Sequence, residues 1–215
     1  MTNLLVLQLA IGIILTLFCS AVPRGTYQVQ SLPLIFILAI LVVVAAAGAF
    51  VGIPLFPLSD LIVLSIGLAG GVLVGRAFPA RLRPFLVLLI VLSIVDLVQA
   101  GAFIGPPPGA APSHAAGPNP HLIWVNFRLP LPSGHFNIGI ADLLLITAMA
   151  EHLRRMRLPY LLSALPATIG LTLAIALSAV PGFQHLLGGA PSQALIPYLT
   201  LGFLGVVPAL VSVRR

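Results

Sequence analysis

FNIGIADLLLITAMAEHL, residues 136–153, is an apolar run with a carboxylate, Asp142, a third of the way in. The chain has only four acidic residues in 215, so an acid placed inside such a run calls for a reason. The run itself has the length of a bilayer-spanning helix, for which about 17 to 25 apolar residues are required. Around it the composition is of the same kind: 60% of residues are apolar, 7% are charged, and the mean hydropathy is +1.17. These values lie far from those of soluble domains. They predict an all-α integral membrane protein, a single transmembrane helical domain over residues 1–215.

Seven spans are predicted, at roughly 4–22, 32–52, 58–75, 84–104, 136–153, 160–180 and 194–213, punctuated by Gly, Pro and Arg. All ten basic residues are arginine. Nine of them (Arg24, Arg76, Arg81, Arg83, Arg154, Arg155, Arg157, Arg214 and Arg215) follow odd-numbered spans, and only Arg128 follows an even one. By the positive-inside rule the N-terminus lies outside and the C-terminus in the cytoplasm. No basic patch is interleaved with aromatics, so the excess of arginine does not point to nucleic acid. Cys19 has no partner for an internal disulfide and is read as packing. The first span lacks a positive leading segment and a small-residue cleavage site, so it is expected to be retained.

The N-terminal helices fill residues 1–83, and 84–213 form a core interrupted by a long outer loop, 105–135. The first half of that loop is rich in Pro, Gly and Ala, whereas LIWVNFRLPL (122–131) has strand-like composition cut short by Pro130 and Pro132. Loops of this length are often functional.

Two of the four acids have ordinary positions. Asp60 follows Pro57 and Ser59 where the third span starts, as a helix N-cap would, and Glu151 stands beside His152 and the arginines at a helix end. Asp96, in SIVDLVQAG, and Asp142 are flanked by apolar sequence, and a carboxylate at such depth faces a cavity or a partner. At 1.5 Å per residue Asp96 is expected about 18 Å up the fourth span and Asp142 about 9 Å down the fifth, within a core about 30 Å thick. The two would then share a height on consecutive antiparallel helices. Two buried carboxylates at close range cannot both ionise, and one holding a proton beside one ionised is the division of labour that activates water. Structural hydrogen bonding, cation binding and proton relay use the same residues and stay open on spacing alone.

These residues resemble the GxGD intramembrane aspartyl proteases, presenilin and signal peptide peptidase. SIVDLVQAG is similar to the family's first catalytic helix, with Val95 in the place of its tyrosine. NIGIADLLL resembles the second, with Gly139, Ile140, Ala141 and Asp142 standing for Gly-x-Gly-Asp. APSQALIPYL resembles the Pro-Ala-Leu segment, with Gln193 in place of the proline before Ala194 and Leu195. The resemblance covers residues 84–213 and implies a presenilin-like bundle in which Asp96 and Asp142 are catalytic. Gly139, Ala141, Gln193, Ala194 and Leu195 would shape the substrate site, without metal or cofactor. The derived orientation is that of signal peptide peptidase, whose resemblance implies single membrane-spanning segments or spent signal peptides as substrates in a multi-pass protein, here expected in a prokaryotic cell membrane. Helical substrates must unwind before hydrolysis, and LIWVNFRLPL offers an edge strand to receive them. The oligomeric state is left open.

Three rivals share features with this assignment. FNIGIAD is also similar to the Phe-Asn-x-Ala-Asp segment of lipoprotein signal peptidase, with two extra residues, although the Asn-x-x-Asp-Arg context of that family's first aspartate is missing. Prepilin peptidase would pair Asp142 with Asp60, but its site faces the cytoplasm and Asp60 falls on the outer side by the arginine count. A small transporter or proton-coupled carrier would use the paired carboxylates as a relay. A retinal protein is excluded by the absence of lysine, and a Ser–His hydrolase by histidines (His114, His121, His135, His185) that fall in loops, with His152 expected at the interface.

Overall fold

The computed structural model describes residues 2–26, 28–51, 57–99, 126–131, 134–178 and 195–212. They form seven helices and one two-stranded hairpin: α1 (Thr2–Gly25), α2 (Ser31–Val51), α3 (Leu58–Ala77), α4 (Leu82–Gln99), β1 (Asn126–Leu131), β2 (Gly134–Gly139), α5 (Ile140–Arg155), α6 (Tyr160–Ser178) and α7 (Ile196–Ser212). Four of the helices, α1, α2, α3 and α6, are long and apolar enough to cross a membrane, and α7 contains a shorter apolar helix. The exterior agrees with that character. On α2, Phe36, Ile40, Val43 and Phe50 are 63, 63, 67 and 89% exposed, a density of bare apolar side chains that hydrocarbon tolerates and water does not.

α5 is the centre of the bundle. From Leu145 to Leu153 every residue is buried, Thr147, Glu151 and His152 among them, because α1, α3, α6 and α7 all pack around the helix. Its closest neighbour is α3, which runs parallel to it and presents a glycine at every fourth residue. A Cβ on Gly67, Gly71 or Gly75 would come within 2.6 Å of Leu143 Cβ, 2.5 Å of Thr147 Cβ and 2.8 Å of Glu151 Cβ. Small residues at this spacing let two helix backbones approach closely, the main source of packing energy between helices in lipid. A second close approach joins the antiparallel pair α6 and α7, where Gly202 lies on the Pro166 carbonyl. Hydroxyl bonds add to the helix contacts: Thr16 to Thr168 at 2.9 Å, and Tyr160 Oη donating to the Leu17 carbonyl at 2.6 Å. Each is worth about 0.6 kcal/mol in a bilayer. Cys19 is fully buried, in accord with its reading as packing.

The described residues are overwhelmingly helical, and one hairpin lies where the sequence has strand-like composition: 126–131 and 134–139 pair antiparallel, from Asn126 opposite Gly139 to Leu131 opposite Gly134. Pro130 is tolerated inside β1 because each strand of a two-stranded sheet has an outer edge that needs no N–H donor. The fifth helix starts at Ile140, not at 136, since residues 136–139 belong to β2.

Candidate functional site

The junction of β2 and α5 fixes Asp142. Gly139 is the N-cap, with extended backbone at φ −70° and ψ 154°, and its N–H donates to Asp142 Oδ2 at 3.1 Å. This is the returning half of a capping box, in which the third helical residue satisfies an amide that the helix leaves orphaned. Asp142 therefore stands in the first turn of its helix, where acids are favoured, rather than about 9 Å into an apolar span. Its apolar left flank, Phe136 to Gly139, is strand and not helix.

Asp96 is engaged in a comparable way from another chain segment. The Ile196 N–H, first in α7, donates to Asp96 Oδ2 at 3.0 Å. Below this contact Ser93 Oγ and Thr200 Oγ1 are 2.7 Å apart, and both hydroxyls donate to the Leu89 carbonyl, at 2.8 and 3.3 Å. A polar ladder thus docks the start of α7 on α4. Both aspartates consequently serve a helix N-terminus, Asp142 that of α5 and Asp96 that of α7.

The two carboxylates are also brought toward one another. Counted from Leu82 on α4 and Arg155 on α5, each lies about 20 Å up its helix at 1.5 Å per residue. Each is partly exposed, and each uses Oδ2 for a backbone amide. Around them stand Gly139, Leu195 (both partly exposed) and Ala141, whose methyl is exposed. Gln193 and Ala194 lie outside the described residues, as do His114, His121 and His185. Asp60 is in the first turn of α3 and buried, but the N-cap there is Pro57, so Asp60 is a first-turn acid and not the cap expected from the sequence.

The opposite end of the bundle holds a network that residue-by-residue reading did not assemble. Glu151 is fully buried and accepts from Arg76 Nε at 3.3 Å and from Arg154 Nε and Nη2 at 2.7 and 2.8 Å. Arg76 also donates to the Thr26 and Val29 carbonyls at 2.7 and 2.8 Å. Arg155 Nη1 donates to the carbonyls of Gly75, Arg76 and Phe78 at 3.0, 2.7 and 2.6 Å. His152, expected at the interface, is instead fully buried and stacked flat on Phe85, with centroids 4.2 Å apart and planes 9° from parallel. The signals available for this network were the spacing of Gly67, Gly71 and Gly75 and the Glu151–Arg154 pair one turn apart.

Among the described residues no group of His, Cys, Asp and Glu could hold a metal ion. No protein-family model, curated protein or solved structure matches the chain.

Proposed function

We propose that the chain is a seven-span intramembrane aspartyl endopeptidase with Asp96 and Asp142 as its dyad, its arginine-bearing end in the cytoplasm. One arrangement supports this: two acids on different helices, at one height by the rise along α4 and α5, each with Oδ2 held by a backbone amide at the start of a helix. The chemistry needs an ionised and a protonated acid flanking one water. The ionised carboxylate takes a proton from water as the oxygen attacks the peptide carbonyl, while the protonated partner donates to the carbonyl oxygen. Collapse of the resulting diol breaks the C–N bond, and the proton held by the first aspartate passes to the leaving amine. The hydrogen bonds from Gly139 and Ile196 occupy one oxygen of each carboxylate and fix its direction, leaving the other for water.

The substrate would arrive extended. β2 leads straight into Gly139 and Asp142, and β1 is its strand partner among the described residues. A peptide added along the outer edge of β2 would meet the dyad with its helix already unwound.

The height of the site favours one variant of the same chemistry. Asp142 is in the first turn of α5, five residues after Asn137, so the dyad stands near the end of the bundle remote from Arg24, Arg76, Arg81, Arg83, Arg154 and Arg155. Cleavage close to the outer face, as in the lipoprotein signal peptidase that FNIGIAD also resembles, fits this better than cleavage at mid-membrane. The test is hydrolysis of a signal-peptide-bearing membrane substrate, with and without a lipidated cysteine, by wild type, Asp96→Asn and Asp142→Asn. Both variants should be inactive while remaining folded, and undiminished cleavage by either would exclude the dyad.

A further inference from the structure

The end of the bundle opposite the aspartates carries charge that the protein itself does not balance. Three of the four carboxylates, Asp60, Asp96 and Asp142, are remote from it, and the fourth, Glu151, is fully buried between Arg76 and Arg154. Arg24, Arg81 and Arg83 are exposed at the same end, with no Asp or Glu there left to neutralise them. Their supports are held firmly. Arg76 ties the α1–α2 connection to α3, and Arg155 ties the end of α3 and the following connection to α5. Arg24 itself lies over the Tyr160 ring, 5.3 Å from its centroid, at the start of α6. The rim therefore presents exposed guanidinium groups from α1 and from the connection into α4, on a bundle whose walls are apolar, with Phe18, Val87 and Leu161 exposed on α1, α4 and α6.

From this we infer that Arg24, Arg81 and Arg83 form a binding rim for anionic phospholipid, taking the headgroup phosphates while the acyl chains lie along the apolar walls. Guanidinium suits the task because its planar fork donates two parallel hydrogen bonds to a phosphate and keeps its charge at every physiological pH. A soluble phosphate ester would satisfy the arginines but would leave the apolar walls uncovered, so the lipid is the better fit. Each arginine near an anionic surface strengthens attachment about fivefold, and three give roughly 100-fold.

The measurement is lipid retention by the delipidated full-length protein in detergent, titrated with phosphatidylglycerol or phosphatidylcholine and read by native mass spectrometry. Wild type should retain phosphatidylglycerol roughly 100-fold more strongly than phosphatidylcholine. R24Q/R81Q/R83Q should abolish the preference, and R24K/R81K/R83K, which keeps the charge and controls for folding, should keep most of it. Equal retention of the two lipids by wild type would overturn the inference, as would an unchanged preference in the glutamine variant. Displacement of the lipid by glycerol phosphate at equal concentration would do the same, by showing a site for soluble phosphate.

Discussion

Gly71→Ala adds one methyl at the centre of the α3–α5 contact, and the structure sets its cost. The new Cβ would lie 2.5 Å from the Leu144 carbonyl oxygen, 2.5 Å from Thr147 Cβ and 3.1 Å from Ala148 N. Ordinary carbon contacts begin at about 3.5 Å, so α3 and α5 must separate by about 1 Å at this level. No rotamer change relieves the clash, because the obstructing atoms are backbone or Cβ. The separation spreads to Gly67 and Gly75, which make the same close approach one turn to either side, and to Glu151 beyond them. Overpacking of this kind costs about 1–3 kcal/mol. Reversible unfolding in mixed micelles measures it, with Gly205→Ala as the control. Nothing lies within 4 Å of a Cβ there, and alanine in a helix is favoured over glycine by about 0.5–1 kcal/mol. The two substitutions should therefore move stability in opposite directions. Gly71→Ala within about 0.5 kcal/mol of wild type, the usual scatter of surface changes, would refute the close approach of α3 and α5.

Glu151→Gln leaves Arg76 and Arg154 around a neutral amide and should lower stability by about 3 kcal/mol in the same assay; Arg76→Gln should cost less, since Arg154 keeps both of its bonds to Glu151. Asp142→Ala removes the acceptor for the Gly139 N–H and should destabilise by about 1 kcal/mol. Asp142→Asn should retain most of that stability and still lose cleavage, which separates the cap from the chemistry; equal stability of the two variants would refute the cap, and cleavage by Asp142→Asn would refute the dyad. Ala141→Gly should raise kcat/KM for a membrane-spanning substrate, because the exposed methyl stands where the resembled family has none; its stability cost is that of a helical glycine, about 0.5–1 kcal/mol. A lower kcat/KM at unchanged stability would show that Ala141 does not restrict substrate approach.

Hydrophobic runs and arginine placement were enough to locate the seven described helices to within a few residues, except at the start of α5. There Phe136 to Gly139 read as apolar in the way a helix would, and only pairing with 126–131 makes them strand. That single misplacement carried over to Asp142, whose role as a first-turn acid depends on where the helix begins. The shared height of Asp96 and Asp142 was expected from one count up the fourth span and another down the fifth, and the second count began at Phe136, which is strand. The Ile196 amide on Asp96 was not, since it joins residues 100 apart in sequence. His152 was misjudged for a related reason: its neighbours in sequence are arginines, but its neighbour in space is the Phe85 ring.

The three carbonyls gripped by Arg155 have a consequence for how the chain is made. Gly75, the first of them, precedes Arg155 by 80 residues, so α3 leaves the ribosome with the acceptors at its C-terminal end unmet. They stay unmet while α4 and the long connection after it are synthesised, and are closed only when α5 arrives. The early helices thus lack this tie until α5 has been made, and α5 is the segment that supplies it.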